Sequence, residues 1–287
     1  MNYRHAFHAG NFADVVKHAV LALLIERLKE KETPFRVLDT HAGPGFYDLG
    51  GDAATRTGEW RQGIGRLLSH RLDPALTDLL RPYLSAVTAA NDDEALAYYP
   101  GSPWIARSLL RRQDRLTATE LHPQDAAELA ALFAGDRQVK TIMLDGWLAL
   151  GSFVPPKERR GLVLVDPPFE QPDEFGTLVK GLKAAHRRWP SGIYALWYPV
   201  KDLVAIDRFR SDLAASGIPR LIRSELLIRN RASGGRFNGT GLVLCNAPWR
   251  FEETLDRLLS GLWPHLSDGP GAGKLIDIIS GETVRSS

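Results

Sequence analysis

The 287-residue sequence holds a single cysteine, Cys245, inside the apolar run "GLVLCNAPW". One cysteine excludes an intramolecular disulfide and any zinc site built on several cysteines, and such a residue is ordinarily a small buried hydrophobe. No apolar run reaches the roughly 18 residues that cross a bilayer, and the opening "MNYRHAFHAGNFAD" carries no apolar signal core. These absences lead to the expectation of a reducing cytoplasm and no membrane partner. Excess charge is also nearly absent: 36 Lys and Arg against 34 Asp and Glu leave +2, so a polyanion would have to be held by local basic clusters. Neither a complete GxGxxG fingerprint nor a glycine loop closed by Lys–Ser/Thr occurs. That counts against a nicotinamide dehydrogenase and excludes a P-loop.

Hydrophobic residues make up 44% and charged residues 24% of the chain, a soluble globular composition. Short apolar runs end in polar or Gly/Pro residues at 35–40, 116–121, 139–146, 161–168, 192–199, 221–228 and 240–248. Continuous rather than alternating apolarity marks strands covered on both faces. Segments with helical spacing at 125–135, 174–189 and 204–217 alternate with them, which predicts a doubly wound α/β sheet. Only "RNRASGGRFNG" separates the last two strands; it is too short and too Gly-rich for a parallel crossover. We therefore expect a mostly parallel sheet with one antiparallel strand. From Asp39 to Glu120 the chain runs 81 residues (120 − 39), where a βαβ unit needs about 30. The surplus is helical in pattern, so 50–98 reads as an inserted helical subdomain in a larger domain of 1–49 and 99–287. "ADVVKHAVLALLIERLKE" reads as an amphipathic helix, and the tail beyond about 265, Gly-rich at first, as partly flexible.

Four of the strands end in a carboxylate or lead into one. "RVLDTHAGPGFYDLGG" places Asp39 at a strand end, then a turn with Gly43 and Gly45 that permits close approach of a ligand. Glu120 ends the next strand and could accept both hydroxyls of a ribose. Asp145–Gly146 ends the one after and could accept from an adenine amine. Singly each is ordinarily a helix cap or turn residue. In register at successive carboxyl ends they form a ligand edge. With no phosphate cradle, they suit S-adenosyl-L-methionine.

The fourth strand ends in "DPPF". An exocyclic amine on a nucleobase is a weak nucleophile because its lone pair is delocalised into the ring. Asp166 and the carbonyl of Pro167 could accept its two N–H groups and turn that lone pair toward an electrophilic methyl. Fixed φ at Pro167 and Pro168 keeps the acceptors still, and Phe169 offers a stacking ring. Asp166 could also take the proton. The base must be unpaired or extruded. These four residues resemble the (D/N)PP(Y/F/W) signature of amino-methyltransferases.

Before the first strand, Tyr3, Arg4, His5, His8, Asn11, Asp14, Lys17 and His18 crowd together. The histidine spacing suits no shared metal, so none is expected; basic and aromatic side chains beside a mouth suit RNA. Further clusters are "PPKERRG" (155–161), Lys183, Arg187 and Arg188 on a helix, where a solvated face is favoured, and Arg229, Arg231 and Arg236 around the hairpin, which could reach phosphates.

"YRHAFHAGNFADVVKH", "LDTHAGPGFYDL", "YYPGSPWIARSLLR", "TELHP", "DG", "LVDPPFE" and "GIYALWYPV", in order along nearly the whole chain, resemble the RlmJ family of 23S rRNA adenine N6-methyltransferases. The resemblance implies a Rossmann-like class I S-adenosylmethionine-dependent methyltransferase fold with a small helical insertion, acting as a monomer without metal on 23S rRNA, free or in early assembly. It implies that the Lys17–His18 pair, His41, Ser102, Glu120 and Asp145–Gly146 contact the cofactor, that Asp166 is catalytic, and that Tyr3 lies beside the target base. Phe169 stands where relatives have tyrosine, so a stacking ring survives without a hydroxyl. A DNA adenine or other amino-methyltransferase using the same loop is the alternative.

Overall fold

The structure, a computed structural model, describes residues 5–91, 95–231 and 237–281. Ten strands occur in order: β1 Arg36–Asp39, β2 Phe46–Asp48, β3 Tyr98–Pro100, β4 Arg115–Glu120, β5 Val139–Met143, β6 Gly161–Val165, β7 Ile193–Val200, β8 Leu221–Leu227, β9 Gly239–Cys245 and β10 Gly273–Ser280. The helices are α1 Phe12–Lys29, α2 Asp52–Thr57, α3 Ile64–Ser69, α4 Pro74–Ala89, α5 Ser102–Leu109, α6 Pro123–Leu132, α7 Gly146–Ser152, α8 Glu174–Arg188, α9 Leu203–Ala214 and α10 Phe251–Leu266. Eight strands form one sheet in the order β5-β4-β1-β6-β7-β9-β8-β10.

From β5 through β7 all neighbours are parallel, so their carboxyl ends share one edge. The expected antiparallel strand is β9, which pairs antiparallel with both β7 and β8. A second one was not expected: β10 pairs antiparallel with β8. It comes from the segment read as partly flexible, where "GKLIDIIS" continues the sheet after the Gly-rich turn.

The apolar runs are continuous because each strand faces two cores. Leu162 and Leu164 of β6 join one buried cluster with α1, α4, α5 and α10; Val163 and Val165 join the other with α7, α8 and α9. Alternation at period 2 thus distributes apolar side chains to both sides. Helix α1 differs from the expected amphipathic pattern. Thirteen of its eighteen residues are buried, because α4 lies on the side that water would otherwise wet, its Leu76, Leu80 and Tyr83 joining the same cluster. Residues 52–89 contain α2, α3 and α4, and the strands flanking this stretch pair as a small ribbon, Phe46 opposite Pro100 and Asp48 opposite Tyr98.

Candidate active site

The shared carboxyl edge of the parallel strands opens into a cavity of about 1060 Å³. Strand order divides it. The ends of β1, β4 and β5 line one half; the segment after β6, the end of β7 and the start of α1 line the other.

In the first half, carboxylates are held mainly by main-chain amides. Glu120 accepts from the Gly43 amide through Oε2 and from the His122 amide through Oε1, each at 2.8 Å. Gly43 adopts φ +60, and a Cβ there would lie 2.6 Å from the Tyr47 hydroxyl, so the turn requires glycine. Asp145 Oδ1 accepts from the Trp147 amide at 2.7 Å and caps α7; the cap and the ligand reading share one residue. A Cβ at Gly146 would stand 2.3 Å from the Thr40 carbonyl oxygen and 2.6 Å from the His41 ring. His41 sits edge-on to Trp147, with ring centroids 5.4 Å apart, and burial lowers its pKa to about 4, so its imidazole is neutral. Ser102, at the start of α5, donates to Asp39 Oδ2 at 2.6 Å. Burial pushes Asp39 up to about 7, against the Ser102 hydrogen bond that lowers it.

The second half is held by side chains. Lys17 Nζ donates to Asp166 Oδ2 at 2.5 Å and to Asp14 Oδ1 at 2.8 Å; Lys17 is 3% exposed and Asp14 1%. Burial alone would lower the Lys17 pKa, but the two carboxylates hold it above its ordinary value. Asp14 is likewise held in its charged form: burial raises its pKa, and His5 and Lys17 outweigh burial to hold it well below the usual carboxylate range. Next on the helix, His18 Nδ1 pairs with the Tyr99 hydroxyl at 2.8 Å, which meets the Tyr83 hydroxyl at 3.1 Å. Burial lowers His18 to about 3, so it too is neutral. Beyond Asp166, Phe169 holds φ +53, a left-handed conformation that costs a non-glycine residue about 1–3 kcal/mol. Its ring packs edge-on against Phe175 and Trp197 at 5.0 and 5.7 Å. Trp197 is pinned by a hydrogen bond from Nε1 to Thr240 Oγ1 at 2.7 Å, and Phe237 stands edge-on to it at 6.4 Å.

The cavity therefore collects Lys17, His18, His41, Gly43, Ser102, Glu120, Asp145 and Gly146, and with them Asp166, Pro167, Phe169 and His5. It does not collect the hairpin arginines among the described residues. Arg229 pairs with Asp268, and Arg231 Nη2 pairs with buried Glu225 at 3.2 Å. Tyr3 and Arg236 lie outside the described residues. Trp197 and Phe237 line the cavity but were not expected there; for Trp197 the available signal was an aromatic residue in the strand beside β6. Asp14 and Asp39 were read only as members of the N-terminal cluster and of the strand-end edge, with no contact assigned to either. The remaining described basic clusters are occupied or solvated: Arg160 of 155–161 donates to the Thr33 and Leu28 carbonyls, while Lys157, Arg159, Lys183 and Arg187 are exposed.

Residues 32–276 match the family model described as ribosomal RNA large subunit methyltransferase D, RlmJ. The chain belongs to the RlmJ family. Ribosomal RNA large subunit methyltransferase J of Escherichia coli is 43% identical over 265 residues, covering 92% of this chain and 93% of that protein. The protein of the same name from Haemophilus influenzae is 41% identical over 260 residues, covering 90% and 92%. A crystal structure of a Legionella pneumophila protein, 32% identical, superposes with a TM-score of 0.85 over 96% of this chain and 99% of that one. The fold of this RlmJ family member is thus the Rossmann-like class I methyltransferase fold, with β8, β9 and β10 completing its sheet.

Proposed function

We propose that this chain transfers a methyl group from S-adenosyl-L-methionine to the exocyclic N6 of one adenine in 23S rRNA, as a cytoplasmic monomer. The observation that carries this reading is the position of Asp166. It follows the central strand β6 between a half-cavity of strand-end carboxylates and a half-cavity of aromatic rings, with one oxygen held by Lys17. Family membership supports the chemistry, and the relatives' names support ribosomal RNA as the substrate.

The first half-cavity suits this cofactor on its own chemistry. Its lining carries Glu120, Asp125 and Asp145 and no lysine or arginine from β1, β4, β5 or the loops after them, a surface that repels phosphates and accepts hydroxyl and amine hydrogens. Glu120 would accept the ribose hydroxyls, Asp145 the adenine amine, and the turn at Gly43 would let the ligand approach. When bound, the cofactor supplies a methyl group made electrophilic by its sulfonium. The protein's part is orientation. Asp166 and the Pro167 carbonyl accept the two N–H groups of the target amine. Phe169 and Trp197 offer ring surface for the extruded base, worth about 1–3 kcal/mol per stacked base. The segment 50–98, an insertion in this reading, clamps α1 so that Lys17 stays in place. RNA phosphates are met by residues around the mouth, His5 among them.

The test is mass-spectrometric mapping of rRNA adenines from cells with and without the gene, with the purified protein assayed on RNA, DNA and peptide. Loss of one N6-methyladenine from 23S rRNA is the expected result. Turnover confined to DNA or peptide would overturn the reading.

A further inference from the structure

The contacts that reach Asp166 do not begin at Lys17. The carboxylate of Asp14, in the first turn of α1, accepts from three groups: Lys17 Nζ through Oδ1 at 2.8 Å, and His5 Nε2 and the Gly10 amide through Oδ2 at 2.9 Å each. Its carboxylate therefore joins the segment preceding the helix to the lysine that grips the catalytic aspartate. A purely architectural acid at this place would need only the amide and could be replaced by a neutral acceptor. Asp14 instead supplies charge. A buried ammonium facing one carboxylate neutralises it and competes with any incoming amine for its lone pairs. Facing two, it leaves a net negative charge on the set of Asp14, Lys17 and Asp166.

We propose that Asp14 is a positioning residue for methyl transfer. It holds the Lys17 ammonium so that Lys17 engages Oδ2 of Asp166 and leaves Oδ1, with the residual negative charge, to the amine of the target base. This rests on the proposed function. The charged and titratable groups around the pair are His5 and His8 before α1, Glu59 beyond it, His18 on it, Asp39 at the end of β1 and Asp166 after β6.

Asp14→Asn keeps the shape and the acceptor for Gly10 and removes the charge. The expected result is a kcat at least about tenfold lower, with KM for RNA and the calorimetric Kd for S-adenosylmethionine changed by less than about threefold. Because Asp14 acts through Lys17, the double variant Asp14→Asn/Lys17→Met should have the kcat of Lys17→Met alone, within about twofold. Nitrogen-15 NMR of the Lys17 ammonium should show it titrating at lower pH in Asp14→Asn than in the wild type, a readout independent of turnover. A kcat within twofold of wild type, multiplicative losses in the double variant, or an unmoved ammonium titration would each overturn the proposal. If Asp14→Asn does not fold, Lys17→Met against the charge-balanced double variant still decides. A wild-type protein without turnover on rRNA overturns the proposed function; the ammonium titration then still decides whether Asp14 holds Lys17.

Discussion

Glu120 and Asp166 stand at the ends of two strands of one sheet, with β1 between them, yet they are held in different ways. Glu120 is fixed by two main-chain amides, from Gly43 and His122. Asp166 is held by a side chain 149 residues away in sequence, itself held by another acid. A main-chain lock survives most substitutions of the residues that supply it, provided the turn keeps its shape. A side-chain lock fails when any partner changes, but it can carry charge. The half with Glu120 thus offers a durable shape, and the half with Asp166 a tunable electrostatic setting.

The largest effect should come from breaking the charged half. Asp166→Asn preserves the outline and removes the anionic acceptor; kcat should fall by about 10²–10⁴, while calorimetry still detects cofactor binding at wild-type affinity. An equal loss of cofactor affinity would mean the two halves are one unit. On the other side, Glu120→Gln replaces an ionised acceptor of amide and ligand hydrogens. A hydrogen bond to a charged group contributes about 1.5–3 kcal/mol, so the cofactor Kd should rise about 10- to 100-fold, with RNA affinity by fluorescence anisotropy unchanged. Trp197→Leu sharpens the boundary between halves. Removing one stacking surface should raise KM for RNA about 5- to 100-fold and leave the cofactor Kd alone; the reverse pattern would place Trp197 in the cofactor half.

The smallest effect concerns stability. His18 is neutral in the folded protein, with its pKa lowered to about 3 by burial, and titrates near 6.5 in the unfolded chain. The unfolded state therefore gains protons as pH drops below 6.5 while the folded state does not. Stability present above pH 6.5 is lost toward pH 3, at up to about 1.4 kcal/mol per pH unit. Chemical denaturation between pH 7 and 4.5 should show this slope, and His18→Gln should flatten it. An unaltered slope would show that His18 takes no part.

The difference between the halves also decides what could be read from the sequence. Glu120, Asp145 and Asp166 were legible because a strand end is a local event: an apolar run stops and an acid follows. The parallel order followed from strand–helix alternation for the same reason. Lys17 and His18 entered only through family resemblance, since nothing local ties position 17 to position 166. The extensive burial of α1 was not legible because it depends on α4, which lies some fifty residues later in the chain. The tail strand was hidden by the Gly-rich turn before it, and its pairing partner β8 is likewise remote. Arg231 reads from composition as a phosphate contact; its pairing with Glu225 depends on a fold the local pattern does not encode.

Helix α1 packs against β9 and α10, which follow it by more than 200 residues in the chain. During synthesis it must therefore wait: until β6 has arrived, Lys17 has no distant carboxylate, and until β9 has arrived, part of its apolar surface has no cover. A nascent chain ending before β7 would hold the glycine turn, Glu120, Asp145 and Asp166, yet leave α1 without the cover of β9 and α10.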